Sequence, residues 1–121
     1  MSDLALIIED DEDLSEIFGQ ALSAADFTIE IIRDGKSAQE RLKQVIPAVI
    51  TLDMHIPYIS GKELLDQIRS DHRLDKTRVV VTTADALLGE VVRPQADLVL
   101  IKPITFTQLR DLTFRLHTKH E

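Results

Sequence analysis

The chain is predicted to fold as a parallel, doubly wound α/β sheet. Short, continuously apolar runs, helix-period segments between them, and polar residues where the apolar runs stop all point that way. Of 121 residues, 44% are apolar and 29% charged, enough to build one core.

Taken in order, Leu4-Ala5-Leu6-Ile7-Ile8 reads as a strand buried on both faces, ending at carboxylates. Leu14, Ile17, Phe18, Ala21, Leu22 and Ala25 recur at helical spacing and predict an inward-facing stripe about three turns long. Phe27 to Ile32 is β-branched and predicts a second strand, broken by Asp34-Gly35. A helix is expected over Ser37–Val45, with Ala38, Leu42 and Val45 inward and Pro47 as its stop. Ala48 to Leu52 predicts a third strand running into Asp53. His55 to Gly61 is loop-like, and a helix follows with Leu64, Leu65 and Ile68 inward. Val79 to Val81 and Leu98 to Ile101 supply strands four and five. The crossover between them holds Gly89 and Pro94, so its helix is expected to be short or irregular, about Asp85 to Val92. Thr105 can cap a last helix, with Phe106, Leu109, Leu112 and Leu116 inward.

The length and the lack of any linker predict a single domain over 1–121 with no effector domain. Absence of cysteine excludes disulfides, thiol nucleophiles and cysteine zinc sites. A net charge of −7 argues against a nucleic-acid surface. No basic segment precedes an apolar one at Met1-Ser2-Asp3, and no apolar run approaches the roughly 20 residues of a membrane span. A cytoplasmic location with no membrane contact is the expectation.

Five of the seven net negative charges lie in one run, Glu9 to Asp13. In open parallel sheets, ligands bind outside the carboxyl ends of the strands. Those ends carry Glu9 and Asp10, then Asp53, Thr83 and Lys102. Crowded carboxylates repel unless protonated or bound to a cation, and hard oxygen donors suit Mg²⁺. Mg²⁺ and Lys102 together would neutralise Glu9, Asp10 and Asp53. One carboxylate would then be able to take a phosphoryl group as an aspartyl phosphate.

Ile7-Ile8-Glu9-Asp10-Asp11, Leu52-Asp53-Met54-His55-Ile56-Pro57 with Gly61, Thr83-Ala84 and Lys102-Pro103 stand in an order and spacing that resemble the receiver domains of two-component response regulators. The resemblance covers essentially the whole chain. It implies a CheY-like, flavodoxin-like five-stranded sheet of order 2-1-3-4-5 with helices on both faces. It implies that Asp53 accepts phosphate from a histidine kinase or phosphotransfer protein. Glu9, Asp10, Asp53 and the backbone carbonyl of His55 would hold Mg²⁺, with Glu9 acting through water. Thr83 and Lys102 would engage the phosphoryl oxygens, and Lys102-Pro103 would match the family's cis peptide. The implied protein is a signalling switch that assists its own phosphorylation and dephosphorylation, not an enzyme acting on other substrates. A stand-alone receiver would act through contacts with a downstream protein.

Plainer readings stand beside these. Asp11, Glu12 and Asp13 are accounted for as helix-start charges, with Asp11 or Glu12 as cap. His55 is read as loop surface, though in receivers its position and that of Asp85 tune the phosphate's lifetime. His117 and His120 are read as solvent-facing. The pattern departs from the family at Val99, where receivers usually carry Tyr or Phe, and in a crossover about one turn shorter than usual. Both departures predict an altered signalling face, with a different partner or a homodimer that avoids helix four. Two competing functions remain: a phosphorylation-independent interaction module, and an aspartyl-nucleophile phosphatase. The second is disfavoured because Asp53 follows the third strand and position 55 is histidine.

Overall fold

The structure, a computed structural model, describes residues 3–120, with side-chain burial through 116. Five parallel strands, β1 (Leu4–Ile8), β2 (Thr28–Ile32), β3 (Val49–Asp53), β4 (Arg78–Thr83) and β5 (Leu98–Ile101), form one sheet of order β2-β1-β3-β4-β5. Between and after them run α1 (Glu12–Ala24), α2 (Gly35–Leu42), α3 (Gly61–Ser70), α4 (Ala86–Val92) and α5 (Phe106–His120). Each parallel connection crosses over the sheet, which places helices on both faces.

The apolar strands feed both faces by alternation. Leu6, Ile8, Ile50, Leu52, Val79 and Val81 point to the layer holding α2, α3 and α4, where Ala38, Leu64, Leu65, Ile68 and Val92 complete a core. Ala5, Ile7, Val49, Val80 and Leu100 point to the opposite layer, against Phe18 and Leu22 of α1 and Leu112 and Leu116 of α5. Burial on both sides explains why these strands read as unbroken apolar runs.

Several predicted helix limits shift for visible reasons. Helix α2 begins at Gly35, not Ser37, because Asp34 is its cap: the Ser37 N–H donates to Asp34 Oδ1 at 2.7 Å. It ends at Leu42, not Val45. The Lys43 and Gln44 N–H groups bond the Glu40 and Arg41 carbonyls, three residues back, which tightens the last turn before Pro47. Val45 still packs partly buried on the core.

The short fourth helix is as expected. Asp85 caps it by accepting from the Leu87 and Leu88 N–H groups at 3.0 and 3.1 Å, and Pro94 lies in the 3-10 turn Arg93–Gln95 that follows. Thr105 caps α5 in a reciprocal pair with Gln108: each backbone N–H donates to the other's side-chain oxygen, at 3.1 and 2.9 Å.

Two residues predicted to face inward do not. Ile17 is 45% exposed and Phe106 79% exposed. The side chains of His117 and His120 lie outside those described. Among the described residues, no helix is long and apolar enough to cross a membrane.

Candidate functional site

The carboxyl ends of β1, β3, β4 and β5 meet at one rim. Glu9 follows β1, and its N–H donates to the Ile32 carbonyl, so the residue continues the sheet by one position. Asp10 is exposed at the turn into α1, and Asp11 is the cap: the Leu14 N–H donates to Asp11 Oδ1 at 2.9 Å. Glu12 and Asp13 fill the first turn, where acidic groups favour the helix dipole. The five-carboxylate run therefore divides, with the first two residues at the rim and the last three serving the helix.

Asp53 is the last residue of β3 and is 2% exposed. Its Oδ1 accepts the His55 N–H at 3.1 Å, which fixes the carboxylate against its own loop. That loop returns tightly, with the Gly61 N–H donating to the Met54 carbonyl at 3.1 Å. Lys102 follows β5, its N–H donating to the Thr83 carbonyl at 2.8 Å, and the Lys102–Pro103 peptide is cis.

Lys102 Nζ lies 3.2 Å from Glu9 Oε1 and 3.3 Å from Asp53 Oδ2, so one ammonium bridges two nearly fully buried carboxylates. Oxygen atoms of Glu9, Asp10 and Asp53 lie within 4.8 Å of one another. One positive charge cannot balance this group. Burial, a hydrogen bond with Asp53 and repulsion from its carboxylate push Glu9 up to about 7. Burial alone would lower Lys102, but the Glu9 and Asp53 carboxylates outweigh it and raise the ammonium above its usual value.

Glu9 Oε1 is buried and faces the Lys102 ammonium at 3.2 Å. Three convergent carboxylates that share a single ammonium form a hard-oxygen donor set that fits a divalent cation such as Mg²⁺.

Thr83 ends β4 and is fully buried. Its hydroxyl accepts the Asp85 N–H at 3.0 Å and lies 3.3 Å from Nε2 of His55. Sequence reading places His55 on the loop surface. The residue is indeed exposed, but its ring reaches the Thr83 hydroxyl. The signal was its spacing: two residues beyond Asp53, the chain has already turned toward the end of β4.

Val99 is buried to 9% exposure in β5, under α4. A methyl group added at Gly89 would lie 3.2 Å from Val99 Cγ1 and 3.6 Å from Thr83 Cγ2. Gly89 thus lets α4 settle closely over β4 and β5, filling the space beside Val99 with helix backbone.

The response regulator receiver domain family model matches residues 5–114. The chain belongs to that family. A curated relative, described as a probable methanogenesis regulatory protein, FilR2 of Methanothrix harundinacea, is 31% identical over 118 residues, covering 88% of this chain and 76% of its own length. The receiver spans less than half the length of several other curated relatives it matches. The Mn²⁺-bound response regulator Rcp1 superposes with a TM-score of 0.81 at 23% identity, covering 96% of this chain and 92% of that one. The receiver domain of the Pseudomonas aeruginosa sensor histidine kinase PA1611, with magnesium in its active site cleft, also gives 0.81, at 19% identity, covering 98% and 99%. At these identities the likeness is one of fold. Receiver domains are signalling domains, and this receiver has the acidic cluster at the expected rim.

Proposed function

We propose that this receiver, acting in the cytoplasm, accepts a phosphoryl group on Asp53 from a histidine kinase or phosphotransfer protein and switches contacts with a downstream protein. The observation that carries the reading is the buried Asp53 carboxylate, held by the His55 N–H and paired with Lys102 beside Glu9. In the reaction an Asp53 oxygen bonds phosphorus while the donor's P–N or P–O bond breaks, and the leaving group keeps that electron pair.

Glu9, Asp10 and Asp53, with the His55 carbonyl, are assigned to Mg²⁺, which when bound would neutralise the carboxylates and the incoming phosphoryl charge. Lys102 would pair with the phosphoryl oxygens. Thr83 would leave His55 and turn its hydroxyl toward them. Phosphorylation adds about −1.5 to −2 of charge, enough to bias such a two-state element.

Incubation with Mg²⁺ and acetyl phosphate tests this reading. The expected result is a gain of one phosphoryl group per molecule by intact mass, without continuing hydrolysis of small phosphate esters. Sustained turnover of such esters would point instead to a phosphatase.

Metal binding should also report on Glu9. Because its carboxyl is held near 7, Mg²⁺ must displace a proton below that pH. Apparent affinity should fall about tenfold between pH 8 and pH 6. Glu9→Gln should weaken binding and flatten this dependence, as titration calorimetry in two buffers would show. In the metal-free protein the sign is the same. A carboxyl raised in the folded state contributes stability below its ordinary range near 4.5, and that contribution is lost as pH rises through about 7.

The alternative, a phosphorylation-independent interaction module, draws on the closely seated Gly89 and Val99, since no ring is present there to swing with Thr83. On that reading the acidic rim would bind a cation without accepting phosphate.

A further inference from the structure

The sheet ends at β2, which among the described residues pairs with β1 alone. The Thr28 N–H donates to the Asp3 carbonyl at 2.8 Å, and the Ile32 carbonyl accepts the Glu9 N–H at 3.0 Å. Backbone polar groups alternate sides along a strand, so Thr28, Glu30 and Ile32 turn theirs toward β1. Ile29 and Ile31 therefore each direct an N–H and a carbonyl away from the sheet, where no described strand meets them. Native edges are usually closed by Lys, Pro, a bulge or an overlying element. Thr28-Ile29-Glu30-Ile31-Ile32 runs in unbroken register, contains no Lys, Pro or Gly, and is β-branched at every position but Glu30. That is the composition of a strand that pairs well.

A trough lies beside this open backbone. The side chains of Ile29 and Ile31 fall on the α1 side of the sheet, and with Gly19 and Ala24 of α1 they line a hollow of about 560 Å³. Gly19 brings the helix close, since a Cβ added there would lie 2.9 Å from Ile29 Cδ1. Ile29 is nonetheless 36% exposed. Among the described residues lining the trough, Glu16 alone is charged. On the other face of β2, Glu30 accepts from Nε and Nη2 of Arg41 at 2.7 and 3.0 Å, and each of its oxygens keeps a second lone pair. An extended chain laid along β2 would meet open backbone groups, an apolar trough on one face and a carboxylate on the other.

Charge selects the occupant. A second copy pairing its β2 antiparallel over the full strand would set Glu30 opposite Glu30 at the axis, and like charges directly opposite are destabilising. Two copies of net charge −7 also repel at a distance, whereas a basic chain is attracted. We infer that the β2 edge is a docking site for an extended, basic segment of another protein, which joins the sheet as an added strand. Its residues opposite Ile29 and Ile31 are apolar and enter the trough; the residue between them is Lys or Arg and faces Glu30. A strand of this length buries less than the roughly 1,200 Å² of a stable interface, so the docking is weak and transient. It uses the sheet edge remote from β5 and does not depend on Asp53 accepting phosphate.

Nuclear magnetic resonance titration of the nitrogen-labelled full chain with the end-blocked peptide Ser-Thr-Val-Lys-Val-Thr-Ser, taken to millimolar concentration, tests it. Shifts should be confined to β2 and to the trough residues Gly19 and Ala24, and amide exchange at Ile29 and Ile31 should slow by about tenfold or more. The same peptide N-methylated at both valines loses the pairing N–H groups and should not bind. Glutamate in place of the central lysine should weaken binding by about fivefold or more. Ile29→Pro should abolish docking and keep the fold, because proline is tolerated where an edge strand's N–H points outward. The altered peptides keep the test valid should Ile29→Pro fold poorly. No shift at β2 up to millimolar peptide, equal binding of the N-methylated peptide, or indifference to the central charge overturns the inference. Protection of the Ile29 and Ile31 amides on concentrating the protein alone would assign the edge to a second copy and overturn it equally.

Discussion

Lys102→Met should weaken phosphoryl acceptance by about 100-fold and destabilise the metal-free protein by about 2 kcal/mol at pH 8. Lys102 Nζ sits 3.2 and 3.3 Å from two carboxylates that are almost fully buried. Removing the ammonium leaves those charges facing each other with no cation between them. Breaking a buried pair ordinarily costs 3–5 kcal/mol; the lower figure reflects the partial exposure of Lys102. At pH 6 the loss should be smaller, because Glu9 is then largely protonated and only Asp53 loses its partner. Saturating Mg²⁺ should restore most of the stability but not the phosphoryl acceptance. Urea unfolding at the two pH values, with and without Mg²⁺, separates these effects. An unchanged midpoint at pH 8 would mean that Lys102 does not support the carboxylates.

Gly61→Ala should destabilise the fold by about 3 kcal/mol and impair phosphorylation as well. An added Cβ would collide with the Met54 Cα and lie 2.5 Å from the Asp53 carbonyl oxygen. Both obstacles are backbone, so no side chain can swing aside. The loop after β3 would have to open, and the Met54 carbonyl that accepts the Gly61 N–H moves with it. Since this loop also carries the His55 N–H that holds Asp53, the phosphoacceptor loses its orientation. Gly89→Ala provides the contrast. Its nearest obstacles, at 3.0 and 3.2 Å, are side-chain tips of Ile101 and Val99, and alanine favours a helix interior. Its effect should be small in either direction. Comparable urea midpoints for the two variants would contradict the backbone-collision argument.

Strand positions were legible because burial on both faces produces unbroken apolar runs such as Leu4 to Ile8, and each run ends where the site begins. That alignment also made the rim readable: Glu9, Asp53, Thr83 and Lys102 are marked by being the polar residues at, or just past, the strand ends. Helix faces were less legible. Ile17 and Phe106 satisfy helical periodicity, yet periodicity states only which side a residue shares with its neighbours. Whether anything covers that side depends on the width of the layer, and α1 and α5 leave part of their apolar surface open between them.

Loop chemistry was the least legible. Asp34-Gly35 ends the second strand as expected, but its further role as the cap and first residue of α2 was not read. His55 looked like surface because its contact with Thr83 joins residues 28 positions apart. Such contacts follow from strand order and register, which local patterns do not encode.

Beryllofluoride binding, in the presence of Mg²⁺, to the wild type and to Asp53→Asn tests the central claim most directly. The phosphoacceptor reading predicts tight binding by the wild type, dependent on Mg²⁺, and none by Asp53→Asn. Equal binding by both proteins, or none by either while Mg²⁺ still binds the rim, would contradict it.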